Sequence, residues 1–285
     1  MSKKILIAYA NQAMYSSLQL FKVQAHYLKV FDKILLYTDK DLPPFVLKSP
    51  LMKYERGGGY WIWKPYIIWH TLQQCNNVND IVCYLDCGNI IHPGKEWNEY
   101  FSYMEKYDTV CFQYQKEIPK WKKFGSTSSE IKYWSKKKTL DFFSGYLGSD
   151  DFKNFCKIWG GFIICKNRDN PFIKEWLDLS ISYPDLIIDP MDDEINDQYP
   201  FFTGRHRHDQ AIITPLAYKH QREGKLCVLP ERFDVNRNSE IVSAVRDRTQ
   251  RGKGYYRKYI AYHLQGIIGE RYYRIIKKFA KKHNL

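Results

Sequence analysis

The sequence predicts an α/β fold: a mostly parallel sheet covered on both faces by helices. Three observations carry that expectation. The chain opens with an apolar run, a segment of helical period and a second apolar run within forty residues, the strand–helix–strand order of a parallel sheet. Its later apolar runs, DIVCYL (80–85) and GGFIICKN (160–167), are continuous rather than alternating, as strands buried on both faces require. Segments of helical period separate these runs.

The elements follow in chain order. KILIAY (4–9) is short, apolar and β-branched, and Asn11 and Gln12 close it. Met14, Leu18, Phe21, Ala25 and Leu28 recur at helical spacing, so residues 14–30 are expected to be a helix. KILLYT (33–38) repeats the strand pattern, and Pro43, Pro44 and Pro50 mark a loop. Pro65 suits the first turn of a helix, where its missing N–H costs nothing, and that helix is expected to reach about Gln74. A helix near 95–106 and a strand TVCFQY (109–114) come next. Residues 115–141 are rich in lysine and tryptophan without a clear period and are expected to form a surface loop or flap. NPFIKEWLDLS (170–180) starts a helix with Pro171 near its first turn. An acidic loop (189–200) precedes a helix starting near Asp209, and KLCVLP (225–230) is the last strand.

Composition narrows the classes. Hydrophobic residues make up 44% of the 285, enough for a sizeable core and against wholesale disorder. No apolar run approaches the roughly 18 residues of a membrane span. The opening MSKKILIAYANQ is too short in its apolar part for a signal peptide, so a cytoplasmic location is expected. The seven cysteines form no CxxC pair and read as reduced and buried. The net charge is +13, of which +9 lies in residues 251–285. That division sets a near-neutral domain over 1–250 apart from a basic, tyrosine-rich amphipathic tail over 251–285. Such a tail suits an anionic membrane surface, or else packs as a helix on the domain with its basic face solvated. Nucleic acid is not expected as a partner, because basic and aromatic residues are not interleaved on a groove or sheet elsewhere.

In open α/β sheets ligands bind at the carboxyl ends of strands. Asp86 stands at such an end in YLDCGN. An aspartate after a strand is often only a turn or cap residue. Here Gly88 lets backbone approach a ligand and Asn89 adds an amide. His206 and His208, two apart, face one way on a strand and diverge on a helix. Shared ligation of a metal is therefore disfavoured, and contact with an acceptor is an equal reading. Trp61, Trp63 and Trp69 surround a helix and read first as core.

The stretch GGGYWIWKP…DIVCYLDCGN resembles the "WKP…YLDAG" signature of bacterial polysaccharide glycosyltransferases with a nucleotide-sugar-binding GT-A fold. More distantly it is similar to glycosyltransferase family 8, which includes glycogenin and lipooligosaccharide galactosyltransferases. The resemblance covers about residues 3–250 in order. It implies that Ala8, Tyr9 and Ala10 hold the nucleoside and that Lys64 reaches the diphosphate or donor sugar. It places Asp86-Cys87-Gly88 as the acidic motif, Trp159-Gly160-Gly161-Phe162 beside the donor sugar, and Asp209-Gln210 toward sugar and acceptor. The family's usual second acid, a ligand of Mn²⁺ or Mg²⁺, is here Gly88. Asn89 or His263, in a segment that mimics the family's HxxG, would have to complete a metal site. Alternatively Arg246 and Arg248 neutralise the diphosphate without metal. The implied function is sugar transfer from a nucleotide-diphosphate sugar, expected to be UDP-linked, to a saccharide or lipid-linked acceptor in surface polysaccharide synthesis. Asp209 is the candidate base of an inverting reaction; in a retaining one the donor phosphate takes the proton and Asp209 and Gln210 orient the sugar. For Asp209 the competing reading is a helix N-terminal acid favoured by the macrodipole. Two alternatives stand beside this: a nucleotidyltransferase, although ANQAMYSS lacks a glycine-rich phosphate loop, and a non-catalytic basic protein binding nucleic acid or membrane.

Overall fold

The computed structural model describes residues 2–191, 194, 203–235, 238–246, 248, 252–269, 273, 275 and 278. Strand β1 (Lys4–Tyr9), helix α1 (Tyr15–Leu28) and strand β2 (Lys33–Tyr37) form the expected opening unit. Helix α2 (Trp63–Gln73) has Pro65 in its first turn, where no intrahelical N–H is lost. Strand β3 (Ile81–Leu85), the two-residue strand β4 (Ile90–Ile91), helix α3 (Glu96–Ser102) and strand β5 (Thr109–Gln113) follow.

Residues 115–141 are not an outlying flap. They make two 3-10 turns, 119–124 and 131–133, and enter helix α4 (Lys137–Leu147). Ile118, Trp121, Ile131 and Trp134 are buried there. Single large side chains anchor each turn, and turns of three and six residues are too short to leave a period to read. Strand β6 (Ile158–Cys165) leads to helix α5 (Pro171–Ser182), whose Asn170 cap accepts the Ile173 N–H at 3.0 Å. Helix α6 (Asp209–Arg222), strand β7 (Leu226–Pro230), the short strand β8 (Val242–Ser243) and helix α7 (Lys253–Ile268) follow. Of the acidic loop only 189–191 and 194 lie within the described residues, and Glu194 pairs with buried Lys136 at 3.0 Å.

The main sheet runs β2-β1-β3-β6-β5-β7. β6 is antiparallel to both neighbours, and the remaining pairs are parallel. The sheet is thus mixed but mostly parallel and wrapped by helices, in agreement with a Rossmann-like GT-A architecture. Alternation along β1 shows how both faces are filled. Ile5, Ile7 and Tyr9 enter the core under α2, α5 and α6, while Leu6 and Ala8 enter the core under α1 and α3. Strand β8 pairs antiparallel with β4, with Ile90 opposite Ser243, which brings the chain after β7 back beside the turn that carries Asp86.

The basic tail begins as α7, and α7 is not detached: it packs along α1. Gly266 is what permits the approach, since a Cβ there would lie 2.1 Å from the Tyr27 ring. Most of the basic stretch after Gly269 lies outside the described residues. None of the described helices is long and apolar enough to cross a membrane. All seven cysteines are free thiols, five of them buried.

Candidate active site

The site is assembled at the carboxyl ends of β1 and β3. The chain reaches it through Gly57, Gly58, Gly59, Tyr60 and Trp61, all with positive φ. Glycine is needed at Gly57 and Gly59 both for that conformation and for space: a Cβ would meet the Trp61 ring at 2.4 Å or Met52 at 2.5 Å. This turn delivers Trp63 to stack on Tyr9 with centroids 3.9 Å apart, while its indole N–H donates to the Gly57 carbonyl at 2.9 Å. The next residue, Lys64, is thereby aimed inward under the rim.

Lys64 is 2% exposed. Its Nζ donates to Asp209 Oδ2 at 2.8 Å and to the Gly160 carbonyl at 3.0 Å, and lies 3.6 Å from Asp86 Oδ1. Burial opposes the charge, but Asp209 and then Asp86 outweigh it, so the ammonium is held above its ordinary pKa. One buried cation therefore fixes two carboxylates brought from distant parts of the chain. The Asp86 side chain is 41% exposed and that of Asp209 only 10%, so Asp86 is the carboxylate left open at the rim. The buried Tyr84 hydroxyl also donates to Asp86 Oδ1. Burial, then the charge of Asp86, pushes Tyr84 well up, so it stays a donor.

β6 supplies the floor. A Cβ on Gly160 would lie 2.9 Å from Asp209 Oδ2, and one on Gly161 would lie 2.5 Å from the Trp159 ring and 3.1 Å from Asp86 Oδ2. Gly160 is required by the close approach of Asp209 and Gly161 chiefly by that of the Trp159 ring, neither by its φ. Asp86 N–H donates to the Gly161 carbonyl at 3.0 Å, which sets the turn. His208 precedes α6 with φ 46°, a strained conformation for a non-glycine residue and one that clusters at functional sites. Gln210 Oε1 is buried without a partner among the described residues.

Several expected positions are revised. Lys64 does not present its charge to a diphosphate; it holds the carboxylates from beneath. Ala8, Tyr9 and Ala10 are buried, and the Tyr9 hydroxyl is spent on Asp39. The open surface at this end of β1 is instead a hollow of about 210 Å³ lined by Asn11, Asp39, Met52, Lys53, Tyr54, Glu55 and Gly58. Sequence reasoning missed these residues, because only Asn11, at the strand end, carries a local signal. Cys87 and Gly88 are buried in the turn. His206 is fully buried, with one ring nitrogen accepting the Lys136 N–H at 3.2 Å and the other donating to the Leu186 carbonyl at 2.9 Å. It is a structural anchor unavailable to an acceptor. His208 donates to the Ile187 carbonyl at 2.8 Å and stacks against Trp61.

The residues named for a metal do not make a site for one. Asn89 is buried, and its amide donates to the Gly161 carbonyl at 3.4 Å. His263 lies on α7, with Nδ1 2.9 Å from the Tyr27 hydroxyl. Among the described residues no three His, Cys, Asp or Glu converge. Asp86 alone, beside an ammonium, does not fit a hard dication that takes about six oxygens. Of the two arginines after β8, Arg246 is exposed, has φ 54° and donates to Asp234 Oδ2 at 2.9 Å; Arg248 is exposed.

The two histidines give this segment a pH dependence. Burial pushes His206 well below the usual histidine range, and burial pushes His208 down to about 4. Both rings are neutral in the folded protein, whereas the unfolded chain protonates them below roughly pH 6.5. Unfolding then takes up protons, so stability falls as pH drops from about 6.5 toward 4, by on the order of 1 kcal/mol per pH unit for each ring. Urea denaturation at pH 7 and pH 5 is expected to show that loss, and His208→Gln to reduce its slope. A slope unchanged in His208→Gln would refute the assignment.

No protein-family model matches the sequence, and no curated protein matches it. Solved structures do show similarity. A galactosyltransferase, LgtC, in complex with donor and acceptor sugar analogues is 13% identical over 80% of this chain and 74% of that one, with a TM-score of 0.40. A glycosyltransferase involved in glycosylation of the major capsid of PBCV-1 is 12% identical over 82% and 84%, with a TM-score of 0.43. Mouse xyloside xylosyltransferase 1 in its apo form is 11% identical over 80% and 85%, with a TM-score of 0.41.

Proposed function

We propose that the protein transfers a sugar from a nucleotide-diphosphate sugar, UDP-linked, to a saccharide or lipid-linked acceptor. The observation that carries this is the Lys64 cluster: one buried ammonium holds Asp86 and Asp209 at the strand-end rim, over a glycine floor and beside an open hollow. The hollow at the end of β1 takes the nucleoside. Asp86 faces the donor, and Gly160 and Gly161 give the two carboxylates room to stand close over the sheet. Breaking the sugar–phosphate bond leaves negative charge on the diphosphate, which Arg246 and Arg248 neutralise. Asp209 Oδ2 is engaged by Lys64, and Oδ1 accepts the Gln210 N–H at 3.0 Å. That engagement favours an orienting role for Asp209 and Gln210, with the acceptor proton passing to the departing phosphate.

The test is a panel of nucleotides and nucleotide sugars, read by thermal shift and by donor hydrolysis. UDP is expected to raise the melting temperature, and Asp86→Ala to keep UDP binding while losing about a hundredfold in hydrolysis. Chelation is expected to change the wild-type rate by less than about threefold, since the described groups of the site do not form a dication shell. A protein that binds no nucleotide, or an Asp86→Ala variant with full turnover, overturns the reading.

A further inference from the structure

Beyond the donor rim, the sheet carries a second concentration of charge. It lies at the carboxyl ends of β5 and β7 and the start of antiparallel β6, the same edge as Asp86 but on the far side of the glycine floor. Lys157, just before β6, is 1% exposed. Its Nζ lies 3.8 Å from the Trp134 ring centroid, 4.0 Å from that of Trp121 and 5.2 Å from that of Tyr114. It forms no ion pair among the described residues. The guanidinium of Arg207 lies 4.8 Å from the same Trp134 ring. Arg207 is half-buried, and its Nε is buried without a hydrogen-bond partner among the described residues. Exposed Arg205 stacks on Phe124 at 4.5 Å, and Phe124 in turn meets Trp134.

Among the described residues, the two nearby acids also carry other bonds. Asp234 is shared between the Tyr114 hydroxyl and Arg246, both at 2.9 Å. Glu231 accepts the backbone N–H groups of Phe233, Asp234 and Val235. Burial first, then Arg207, pushes Lys157 well below the ordinary lysine range. Burial, together with Arg246 and Arg205, lowers Arg207. Two cations against one indole ring, with a buried donor left unpartnered among the described residues, are an arrangement that an oxyanion relieves.

We propose that Arg207 and Arg205, with Lys157 beneath them, form an anion subsite that binds a phosphate or carboxylate carried by the acceptor. This inference rests on the sugar-transfer reading for the word acceptor, but the subsite itself is read independently of it. An acceptor anchored there would lie across Gly160 and Gly161 from the donor, with its hydroxyl toward Asp209.

Calorimetric titration of the full chain, with UDP saturating the donor rim, tests the proposal. The probes are inorganic phosphate, methyl glucuronide and neutral methyl glucoside. One or both anions are expected to bind with salt-sensitive affinity and the neutral glucoside not to. Phosphate preference marks a phosphorylated acceptor, and glucuronide preference a uronic acid. Arg207→Gln is expected to weaken anion binding at least about tenfold without changing UDP affinity. Should Arg207→Gln melt early, Arg205→Gln, an exposed change, decides in its place. Equal binding of anion and neutral sugar, or unchanged anion affinity in the decisive variant, overturns the proposal. Failure of UDP to bind overturns the donor reading alone, because the comparison of phosphate affinity between wild type and variant stands without it.

Discussion

Lys64→Met is expected to lose both stability and donor turnover, more than any other single change at the rim. Methionine fills a similar volume but leaves Asp86 and Asp209 facing each other with no cation between them. Removing one partner of a buried ion pair costs about 3–5 kcal/mol, because the remaining charge is left uncompensated. The Gly160 carbonyl also loses its donor. Hydrolysis of the donor is expected to fall at least about a hundredfold, since Asp86 is no longer fixed at the rim. Adding Asp209→Asn to Lys64→Met removes one of the two repelling carboxylates and is expected to recover part of the stability but none of the turnover. Urea denaturation of the single and double variants, with hydrolysis assays alongside, separates the two effects. A Lys64→Met protein as stable and active as wild type would remove the cluster from the mechanism.

Gly161→Ala is the second large effect, and it acts through space rather than charge. The added Cβ would lie 2.5 Å from the Trp159 ring and 3.1 Å from Asp86 Oδ2. Trp159 has little room to withdraw, since it is buried and stacked on the fully buried Phe233 at 5.1 Å. Forcing a methyl group into such packing costs about 1–3 kcal/mol. Because the same methyl pushes on Asp86, hydrolysis is expected to fall roughly tenfold or more. Gly145→Ala is the control. It lies on α4 with nothing within 4 Å of its Cβ position, and alanine there is expected to stabilise the helix by up to about 1 kcal/mol. Melting temperatures and hydrolysis rates of both variants check the contrast. Full activity in Gly161→Ala would show that turnover does not depend on how the floor seats Asp86.

The sequence determined the elements wherever short-range periodicity encodes them. The continuous runs of β1, β3 and β6 read as buried strands because both faces of the sheet are covered, and Pro65 read as a first-turn residue because its missing N–H is harmless only there. Asp86 was legible as a rim carboxylate because it directly follows a buried strand. The direction of β6 was not legible: a strand buried on both faces has the same pattern whichever way it runs. The packed turns of 115–141 were hidden for a related reason, since isolated anchors such as Trp121 and Trp134 have no period.

The fate of each polar group was decided only by the tertiary structure. Lys64 in WIWKP reads alike whether its ammonium meets a ligand or a carboxylate, and its partner Asp209 lies 145 residues away. His206 and His208 looked like a functional pair until folding tied their rings to the carbonyls of Leu186 and Ile187. Arg207, in the same RHRHDQ segment, drew no notice in the sequence, yet among the described residues its Nε is a buried donor without a partner, against the same indole as Lys157. Local sequence sets backbone conformation through short-range sterics and period, whereas the state of a charge depends on which distant groups share its low-dielectric surroundings.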